Sequence, residues 1–277
     1  MSTFDNLMER RFGDGGPALT GSSIPDGVVA MLARRTIRRF AARLPDEALL
    51  DALAAAALSA SSKSDYQQVS LLRLTDADRR TALAALFPAM PWIGAAPVFY
   101  VFLADARRLQ RLGELRGKPV RNGNLEGFFN ASVDAALALQ TMILAAEACG
   151  LGTCPISVLR NKLDLVAAIL ALPDLVFPIA GLCLGYPAGE THVSLRLPRQ
   201  ITIHRDRYDD AALPEAIDDY DRRRAAIRAI APDQQRAKAR FGEAAFYGWS
   251  EDKARHACEG EGAAFPKYLL AHGFDFS

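Results

Sequence analysis

The chain has 277 residues, of which 50% are hydrophobic, and a formal net charge of +1 at pH 7. A chain of this length can bury a large hydrophobic core, in one or two domains, without disulfide bonds. The nearly balanced charge argues against a dedicated nucleic-acid binder, because such a protein must neutralise many phosphates along a groove. The composition therefore predicts an ordinary soluble globular protein with no nucleic acid among its partners.

The cysteines and histidines show no metal-binding pattern. The four cysteines lack the C-x-x-C spacing of a zinc or redox site, so we expect reduced thiols in the core. They are Cys149, Cys154, Cys183 and Cys258. The four histidines are too scattered in sequence to suggest a metal cluster, and no metal is predicted. The first residues lack the basic and then apolar pattern of a secretion signal, which favours a cytoplasmic location.

Residues 1–24 are rich in glycine and serine and carry few apolar anchors. We expect a flexible N-terminal arm there, mobile or wrapped around a partner subunit, followed by one domain over residues 25–277. Pro25 and Asp26 are typical of a helix start, and Val28 and Leu32 would lie on the apolar face of that helix.

An arginine-rich segment follows this helix. Its sequence is Arg34-Arg35-Thr36-Ile37-Arg38-Arg39-Phe40, with four guanidiniums and one hydroxyl in six consecutive residues. Guanidiniums match phosphate oxygens bidentately, and a threonine hydroxyl adds another donor. The segment predicts a site for a small anionic ligand, and the alternative is a solvated basic helix end.

A second helix is predicted to begin at Pro45, with the acidic residues Asp46 and Glu47 where the helix macrodipole favours them. It ends in a hydroxyl-rich loop, Ser59-Ala60-Ser61-Ser62-Lys63-Ser64. Two interpretations of this loop stay open. It is either an ordinary flexible connector or a set of donors for a phosphate or a ribityl chain.

Three apolar segments are predicted to be buried strands, and they cover residues 69–74, 97–104 and 177–185. Between them we expect a short helix over residues 76–87 capped by Thr75, a polar irregular segment over 105–126, and an extended segment over 154–160. Gly181 and Gly185 in the third strand indicate a close backbone approach.

Residues 127–149 form the longest predicted helix, and their apolar length raises the question of a membrane span. We reject contact with a membrane because Asn130, Ser132 and Gln140 interrupt the apolar run and the rest of the chain alternates like a soluble protein. A helix that is apolar all round also fits the buried centre of a domain or dimer. Further helices are predicted over residues 162–171 (capped by Asn161), 214–230, 250–259 and 264–272.

Motifs of nucleophilic or metal catalysis are missing from the sequence. It contains no G-x-S-x-G elbow, no H-E-x-x-H, no G-x-G-x-x-G fingerprint and no Walker loop. An anion site with little acid–base machinery indicates that a bound cofactor carries the chemistry.

Several segments taken together resemble the nitroreductase family, over roughly residues 25–275. Residues 34–40 are similar to the H-R-S-x-R-x-F signature that opens that family. The resemblance continues through Ser61-Ser62, Leu71-Leu72-Arg73-Leu74-Thr75-Asp76, Gly150-Leu151-Gly152, Leu159-Arg160-Asn161, Gly181-Leu182-Cys183-Leu184-Gly185-Tyr186-Pro187-Ala188 and Arg196-Leu197-Pro198. The Gly-Leu-Cys-Leu-Gly segment and Trp249-Ser250 resemble the oxygen-insensitive NADPH nitroreductase and flavin reductase branch.

The resemblance implies an α+β fold with a central, mostly antiparallel sheet flanked by helices. It implies an intertwined homodimer with FMN at each of its two interface sites. Such enzymes take a hydride from NADPH onto the flavin and then reduce a nitroaromatic, a quinone or free flavin in a ping-pong cycle. The implied partners are therefore a second copy of the chain and a small aromatic or quinone acceptor.

The resemblance also assigns roles to individual residues. Arg34, Arg35 and Thr36 would bind the FMN phosphate and ribityl chain. Arg38 would face the pyrimidine edge, where a guanidinium stabilises the negative charge of reduced flavin, and is the residue expected to act in catalysis. The other implied cofactor-binding residues are Ser61, Ser62, Met90, Pro155, Ile156, Ser157, Val158 and Arg196. The candidates for the NADPH 2'-phosphate are Arg228, Arg236, Lys238 and Arg240.

Five positions depart from the family pattern. Arg34 stands in place of a histidine, Ser157-Val158 in place of two glycines, Ser194 in place of a lysine, and Met90 in place of a glutamine that touches the flavin ring. A changed ring environment leaves two alternatives open. One is an FMN enzyme with different chemistry, such as reductive dehalogenation or flavin fragmentation, and the other is a non-catalytic flavin- or anion-binding protein.

Overall fold

A computed structural model describes residues 3–14, 16–17, 24–189 and 191–276. The chain divides into two compact units. We call Met1–Ala33 with His192–Glu261 the helical unit, and Arg34–Thr191 with Gly262–Ser277 the sheet unit.

The helices of the sheet unit are α3 (Glu47–Leu58), α4 (Ala77–Ala85), α5 (Trp92–Ala95), α6 (Arg107–Arg116), α7 (Leu125–Ala148), α8 (Leu163–Leu170) and α12 (Phe265–Ala271). Its strands are β1 (Val69–Arg73), β2 (Val98–Asp105), β3 (Gly152–Ile156) and β4 (Val176–Gly185). The helices of the helical unit are α1 (Thr3–Phe12), α2 (Asp26–Ala33), α9 (Leu213–Ile227), α10 (Lys238–Phe241) and α11 (Trp249–Ala257).

The four strands form one sheet in the order β1-β2-β4-β3, and every neighbouring pair is antiparallel. This confirms the α+β class and the three predicted strands. β3 occupies the first part of the predicted extended segment, but residues Val158–Lys162 form a 3₁₀ turn instead of continuing it. The central strand β2 is buried along its whole length, as expected for a strand covered on both faces.

Two hydrophobic cores lie on opposite faces of the sheet, because successive residues of a strand point to opposite sides. Tyr100 and Phe102 of β2 belong to the first core, which α7 covers, whereas Phe99 and Val101 belong to the second. The predicted close approach at Gly181 is confirmed, since a Cβ on this residue would lie 2.4 Å from the Phe99 ring.

Helix α7 is long and apolar enough to cross a membrane by length and composition, a test that the core helix of a soluble protein also passes. Its small residues Ala131, Ala135 and Ala138 are fully buried in the first core. Its other side carries four exposed apolar residues at a spacing of four. They are Leu125, Phe129, Val133 and Leu137.

An aromatic cluster closes the sheet unit at the N-terminal end of α7. The Phe128 and Phe177 rings stack with centroids 5.1 Å apart, and Phe265 and Phe274 meet both rings edge-on. These rings tie α7, β4 and the C-terminal residues together.

We expect Phe177→Ala to lower the free energy of unfolding by about 3–5 kcal/mol, because it opens a cavity among these rings. Phe177 is 1% exposed. Urea denaturation checks this, with Phe246→Ala as the matched control, because Phe246 is 56% exposed. Equal losses in the two variants would contradict the assignment of the cluster to the core.

Several predicted details are wrong. Residues 107–116 form α6 rather than an irregular segment, and Gly117, with φ of +61°, ends that helix. Asp76, not Thr75, caps α4 by accepting a hydrogen bond from the Arg79 N–H. Asn161 does not cap α8, because the intervening residues form the 3₁₀ turn.

Two of the four cysteines are also misplaced by the prediction. Cys154 and Cys183 are buried, but Cys149 and Cys258 are exposed, and all four are free thiols. Cys149 and Cys258 directly follow the helices α7 and α11, so they stand at helix ends rather than on core-facing turns.

The helical unit contains part of the predicted N-terminal arm. Residues 3–12 form α1, with Leu7 and Met8 buried, which the glycine-rich composition had not indicated. The Arg11 guanidinium donates to the Leu32 carbonyl at 2.7 Å and to the Ser194 carbonyl at 2.9 Å. Residues 1, 2, 15 and 18–23 of the arm lie outside the described residues. The flexibility of the arm and the domain boundary at residue 25 stay predictions.

Candidate functional site

The arginine-rich segment lies along the outer edge of β3. Thr36 forms a parallel bridge with Thr153, and the Ile37 N–H donates to the Thr153 carbonyl at 2.8 Å. Further on, Phe40 forms an antiparallel bridge with Pro187 just after β4. The segment is therefore an extended chain fixed at both ends to the sheet.

Two apolar side chains anchor this chain to glycines in the strands. Ile37 is 4% exposed and packs over Gly152, where a Cβ would lie 2.6 Å from Ile37 Cγ1. A Cβ on Gly185 would lie 3.2 Å from the Phe40 ring. Because Ile37 points into the protein, alternation along the extended chain turns Arg38 outward. Arg39 is exposed as well.

The arginines of the segment differ in their surroundings. The Arg34 side chain is 16% exposed, and its Nε lies 3.7 Å from a Glu147 carboxylate oxygen. That oxygen also accepts a hydrogen bond from the Thr153 hydroxyl at 3.1 Å. Arg35 is exposed and donates through Nε to the Thr191 hydroxyl at 2.6 Å.

Arg38 lies beside an indole and a thiol. Its guanidinium carbon is 5.4 Å from the centroid of the Trp92 ring, a cation–π distance. Burial raises the pKa of the Cys154 thiol, and the nearby guanidiniums of Arg38 and Arg34 offset part of that rise. Across the sheet, burial raises the pKa of Cys183, the partner of Cys154 in the register, to about 12.

We expect two thiols of the native protein to react with an aromatic disulfide reagent at pH 8, and four after denaturation. Cys149 and Cys258 are exposed, whereas Cys154 and Cys183 are buried. The attacking species is the thiolate, so the raised pKa of Cys183 reduces its reactive fraction by roughly a thousandfold. The absorbance of the released thiolate measures the count. Fast reaction of a third thiol in the folded protein would contradict the burial.

The two predicted loop serines lie elsewhere in the sheet unit. Ser61 and Ser62 line a cavity of about 690 Å³ between α3 and β1, together with Arg73, Arg108 and Asp134. The residues that line this cavity include none from 34–40 or 155–158. Among the described residues, the cavity at the two serines therefore does not extend to the arginine-rich segment.

The predicted ring-contacting residues lie on the Arg38 side of the sheet. Met90 and Val158 are half-buried and pack against the second core, as do Phe40 and Trp92. Ile156 is buried, whereas Pro155 and Ser157 are exposed at the end of β3. The structure thus gathers this predicted set near one end of β3.

The remaining predicted residues belong to the helical unit. Arg196 is exposed, and its N–H donates to the Arg11 carbonyl at 2.6 Å. Arg236 lies 3.4 Å from both Asp252 and Glu259, and Lys238 lies 3.8 Å from Glu243. The guanidinium of Arg240 is 4.8 Å from the Phe241 ring, and Arg228 is exposed.

Sequence reasoning missed residues whose importance depends on tertiary contacts. Trp92 and Cys154 carried no motif, although both lie against Arg38. The sequence did mark Asp134 and Glu147, because each is a carboxylate within the long apolar helix α7. In the described residues, no group of three or more metal-ligating side chains that could hold a metal ion is found.

The residues at the edge of β3 fit the phosphate of a flavin nucleotide. Arg35 and Arg39 are exposed guanidiniums on a fixed extended chain. Thr36 adds a half-buried hydroxyl between them. These groups donate hydrogen bonds and carry positive charge, which is the donor set that a phosphate requires.

The fold and this segment define an α+β protein with an antiparallel sheet and an arginine-rich chain along its edge. Residues 31–186 match the model of the nitroreductase family, and residues 194–277 match the model of that family's C-terminal domain. The chain therefore belongs to the nitroreductase family.

Two curated relatives and one solved structure illustrate the similarity. FMN reductase (NADPH) of Bacillus subtilis is 36% identical over 184 residues, 66% of this chain and 74% of that protein. Oxygen-insensitive NADPH nitroreductase of Salmonella typhimurium is 35% identical over 64% of this chain and 72% of that protein. The structure of NADPH:FMN oxidoreductase from Vibrio harveyi complexed with NAD+ covers 90% of this chain and 99% of its own, with a TM-score of 0.78 and 28% identity.

Proposed function

We propose that the chain is an FMN-dependent oxidoreductase that takes electrons from NADPH and passes them to a small nitroaromatic, quinone or flavin acceptor. The names of relatives such as FMN reductase (NADPH) and oxygen-insensitive NADPH nitroreductase support this activity. The observation that carries the proposal is the extended segment 34–40, which holds exposed guanidiniums along the edge of β3. FMN, when bound, supplies the transfer of two electrons from donor to acceptor.

The residues of segment 34–40 would have different roles in binding FMN. Arg35 and Thr36 would hold the phosphate and ribityl oxygens, and Arg39 adds a further exposed charge. Arg34 is less accessible because it lies beside Glu147. The Glu147 carboxylate also offsets the charge of Arg34, so Arg34 would contribute less to phosphate binding than the exposed Arg35. Arg196 stays a predicted phosphate ligand.

Arg38 would act on the redox chemistry. A guanidinium at the pyrimidine edge stabilises the negative charge that the cofactor gains on reduction, and so favours electron uptake from NADPH. The Trp92 ring beside Arg38 restricts the positions that this guanidinium adopts. Met90 and Val158 would border the ring with apolar surface, which excludes water from one of its faces.

The active form is a homodimer in this proposal. Ser61 and Ser62 line a cavity that the arginine-rich segment does not reach, so a second copy of the chain would have to unite the two halves of the site. The exposed apolar stripe on α7 supports this, because Phe129 is 60% and Leu125 is 62% exposed. We further propose that the enzyme works in the cytoplasm, on small molecules.

We expect Arg228→Ala to reduce kcat/KM for NADPH about 10- to 100-fold while kcat/KM for NADH stays unchanged. A charge-assisted hydrogen bond to the 2'-phosphate is worth about 1.5–3 kcal/mol. Arg236 and Lys238 already pair with carboxylates, which leaves Arg228 as the more available charge. Steady-state kinetics with both nucleotides checks this, with Arg222→Ala as control because the exposed Arg222 side chain pairs with Asp219 on α9. Equal losses of kcat/KM with NADPH and NADH would contradict the assignment of Arg228 to the 2'-phosphate.

The proposed function is tested by the absorbance spectrum of the purified protein before and after anaerobic NADPH. Flavin bands that bleach with NADPH and return with menadione or a nitroaromatic support the proposal. Light scattering on the same sample should give about twice the chain mass of 30.0 kDa. A colourless protein that FMN cannot reconstitute would overturn the cofactor assignment. Bound flavin that bleaches, but returns electrons to neither acceptor, would favour the alternative chemistry that Met90 and Ser157-Val158 leave open.

A further inference from the structure

The buried carboxylate of Asp134 lies beneath the serine loop. Asp134 belongs to α7 and is 1% exposed, in a helix that is otherwise apolar around it. Its Oδ2 accepts the Ser62 hydroxyl at 2.8 Å and the Gln68 N–H at 3.0 Å, and its Oδ1 accepts the Lys63 N–H at 3.0 Å. A single side chain therefore fixes both ends of the loop from residue 62 to residue 68.

The backbone of this loop needs such support. Ser64, Asp65 and Gln67 have φ of 50°, 56° and 51°, in the left-handed region that residues with a Cβ rarely adopt. Three such residues within four positions do not persist unless surrounding contacts determine the conformation. Backbone conformations of this kind cluster at functional sites, where they preset the positions of ligand-binding groups.

The hydroxyls of the two serines are in different situations. The single proton of Ser62 is donated to Asp134, and Ser62 Oγ also accepts the Gln67 N–H at 2.6 Å. In the described part of the chain no hydrogen bond engages the Ser61 hydroxyl, and Ser61 is exposed at the 690 Å³ cavity. The hydroxyl of Ser61 is thus the one still able to donate to a ligand.

We propose that Asp134 is a positioning residue that, through Ser62, Lys63 and Gln68, holds the loop so that Ser61 presents its donor to the flavin. This inference rests on the proposed FMN function. In this proposal Ser61 contacts the ligand, whereas Ser62 links the loop to Asp134. It also gives the buried charge of α7 a role that no motif assigns.

The test compares Asp134→Asn, Ser62→Ala and Ser61→Ala with the wild-type holoenzyme and its apoprotein. Asparagine keeps the size of the side chain but replaces one acceptor oxygen with an N–H₂ group, so at least one of the three loop hydrogen bonds is lost. Ser59→Ala is the matched control, because the Ser59 hydroxyl bonds the Ala55 carbonyl within α3 instead of Asp134. The readouts are amide hydrogen exchange of residues 62–68 in the apoprotein, the Kd for FMN, and the absorbance maximum of the bound flavin.

We expect Asp134→Asn and Ser62→Ala to speed amide exchange in the loop at least tenfold and to weaken FMN binding at least tenfold. Ser61→Ala should weaken FMN binding and shift the flavin spectrum while leaving loop exchange unchanged, and Ser59→Ala should change none of the three. If Asp134→Asn or Ser62→Ala speeds amide exchange but keeps the wild-type FMN affinity and spectrum, the positioning role is overturned while the proposed function stands. Absence of FMN binding by the wild-type protein would overturn the proposed function, and this inference with it. Should Asp134→Asn fail to fold, Ser62→Ala still decides the outcome.

Discussion

Replacing Arg38 with alanine is expected to slow the reduction of bound FMN by NADPH about 10²–10³-fold, with FMN still bound. Removing one preorganised group that stabilises developing negative charge has this order of effect in other active sites. The guanidinium is exposed at the edge of β3 and lies over Trp92, so its loss removes a charge without opening the core. Anaerobic stopped-flow measures the rate, and a redox titration should show a more negative midpoint potential of the flavin.

Arg38→Lys is the matched variant for this experiment. Lysine keeps the charge but lacks the planar fork that packs on an aromatic ring, so a partial loss is expected. Arg43→Ala serves as a second control, because Arg43 is also exposed but lies over the Tyr186 ring and has no proposed role in FMN binding. An unchanged rate and potential in Arg38→Ala would remove Arg38 from the chemistry and leave it a binding residue at most.

The Gly152→Ala substitution is expected to weaken FMN binding at least tenfold and to lower the free energy of unfolding by about 1–3 kcal/mol. A Cβ at this position would lie 2.6 Å from Ile37 Cγ1 and 2.8 Å from Ile37 Cβ. The Ile37 backbone must therefore move away from β3, and the arginines on either side of it move too. Fluorescence titration of the apoprotein with FMN measures the affinity, and urea denaturation measures the stability.

The control for Gly152 is Gly27→Ala in α2. A Cβ on Gly27 would meet no atom within 4 Å, so no contact has to move. Alanine in a helix is more favourable than glycine by roughly 0.5–1 kcal/mol, and stability should rise slightly. Gly152→Ala with wild-type FMN affinity would show that the position of Ile37 does not control the arginine-rich segment.

Periodicity in the sequence predicted the larger elements well, for physical reasons. β2 and β4 are runs of apolar residues buried on both faces, and α7 is a long apolar helix with capping Asn124 at its start. The helix α6 was missed because half of its residues 107–116 are charged and only Gly113 among them is buried, although Gly117 is a typical helix end. Helix caps depend on backbone angles that composition does not report. The prediction therefore placed the cap of α4 at Thr75, one residue before the true cap, Asp76.

The site could be predicted in part. The sequence by itself determined the charge and hydrogen-bonding capacity of residues 34–40, because four guanidiniums in six positions have few other uses than binding an anion or facing solvent. The sequence also resembled the nitroreductase family. The family models that match residues 31–186 and 194–277 establish that the chain belongs to it. Local chemistry of this kind survives in any fold, since it belongs to the side chains themselves.

Only the tertiary structure decided which neighbours these side chains have. Ile37 over Gly152, Arg38 beside Trp92 and Cys154, and Asp134 beneath the serine loop join residues that are far apart in sequence. Such pairs follow from the strand order β1-β2-β4-β3 and from the packing of α7, which spacing along the chain does not encode. The types of chemical group in the site can therefore be predicted from the sequence. That Ser62 bonds Asp134 while the Ser61 hydroxyl faces the cavity follows only from long-range packing.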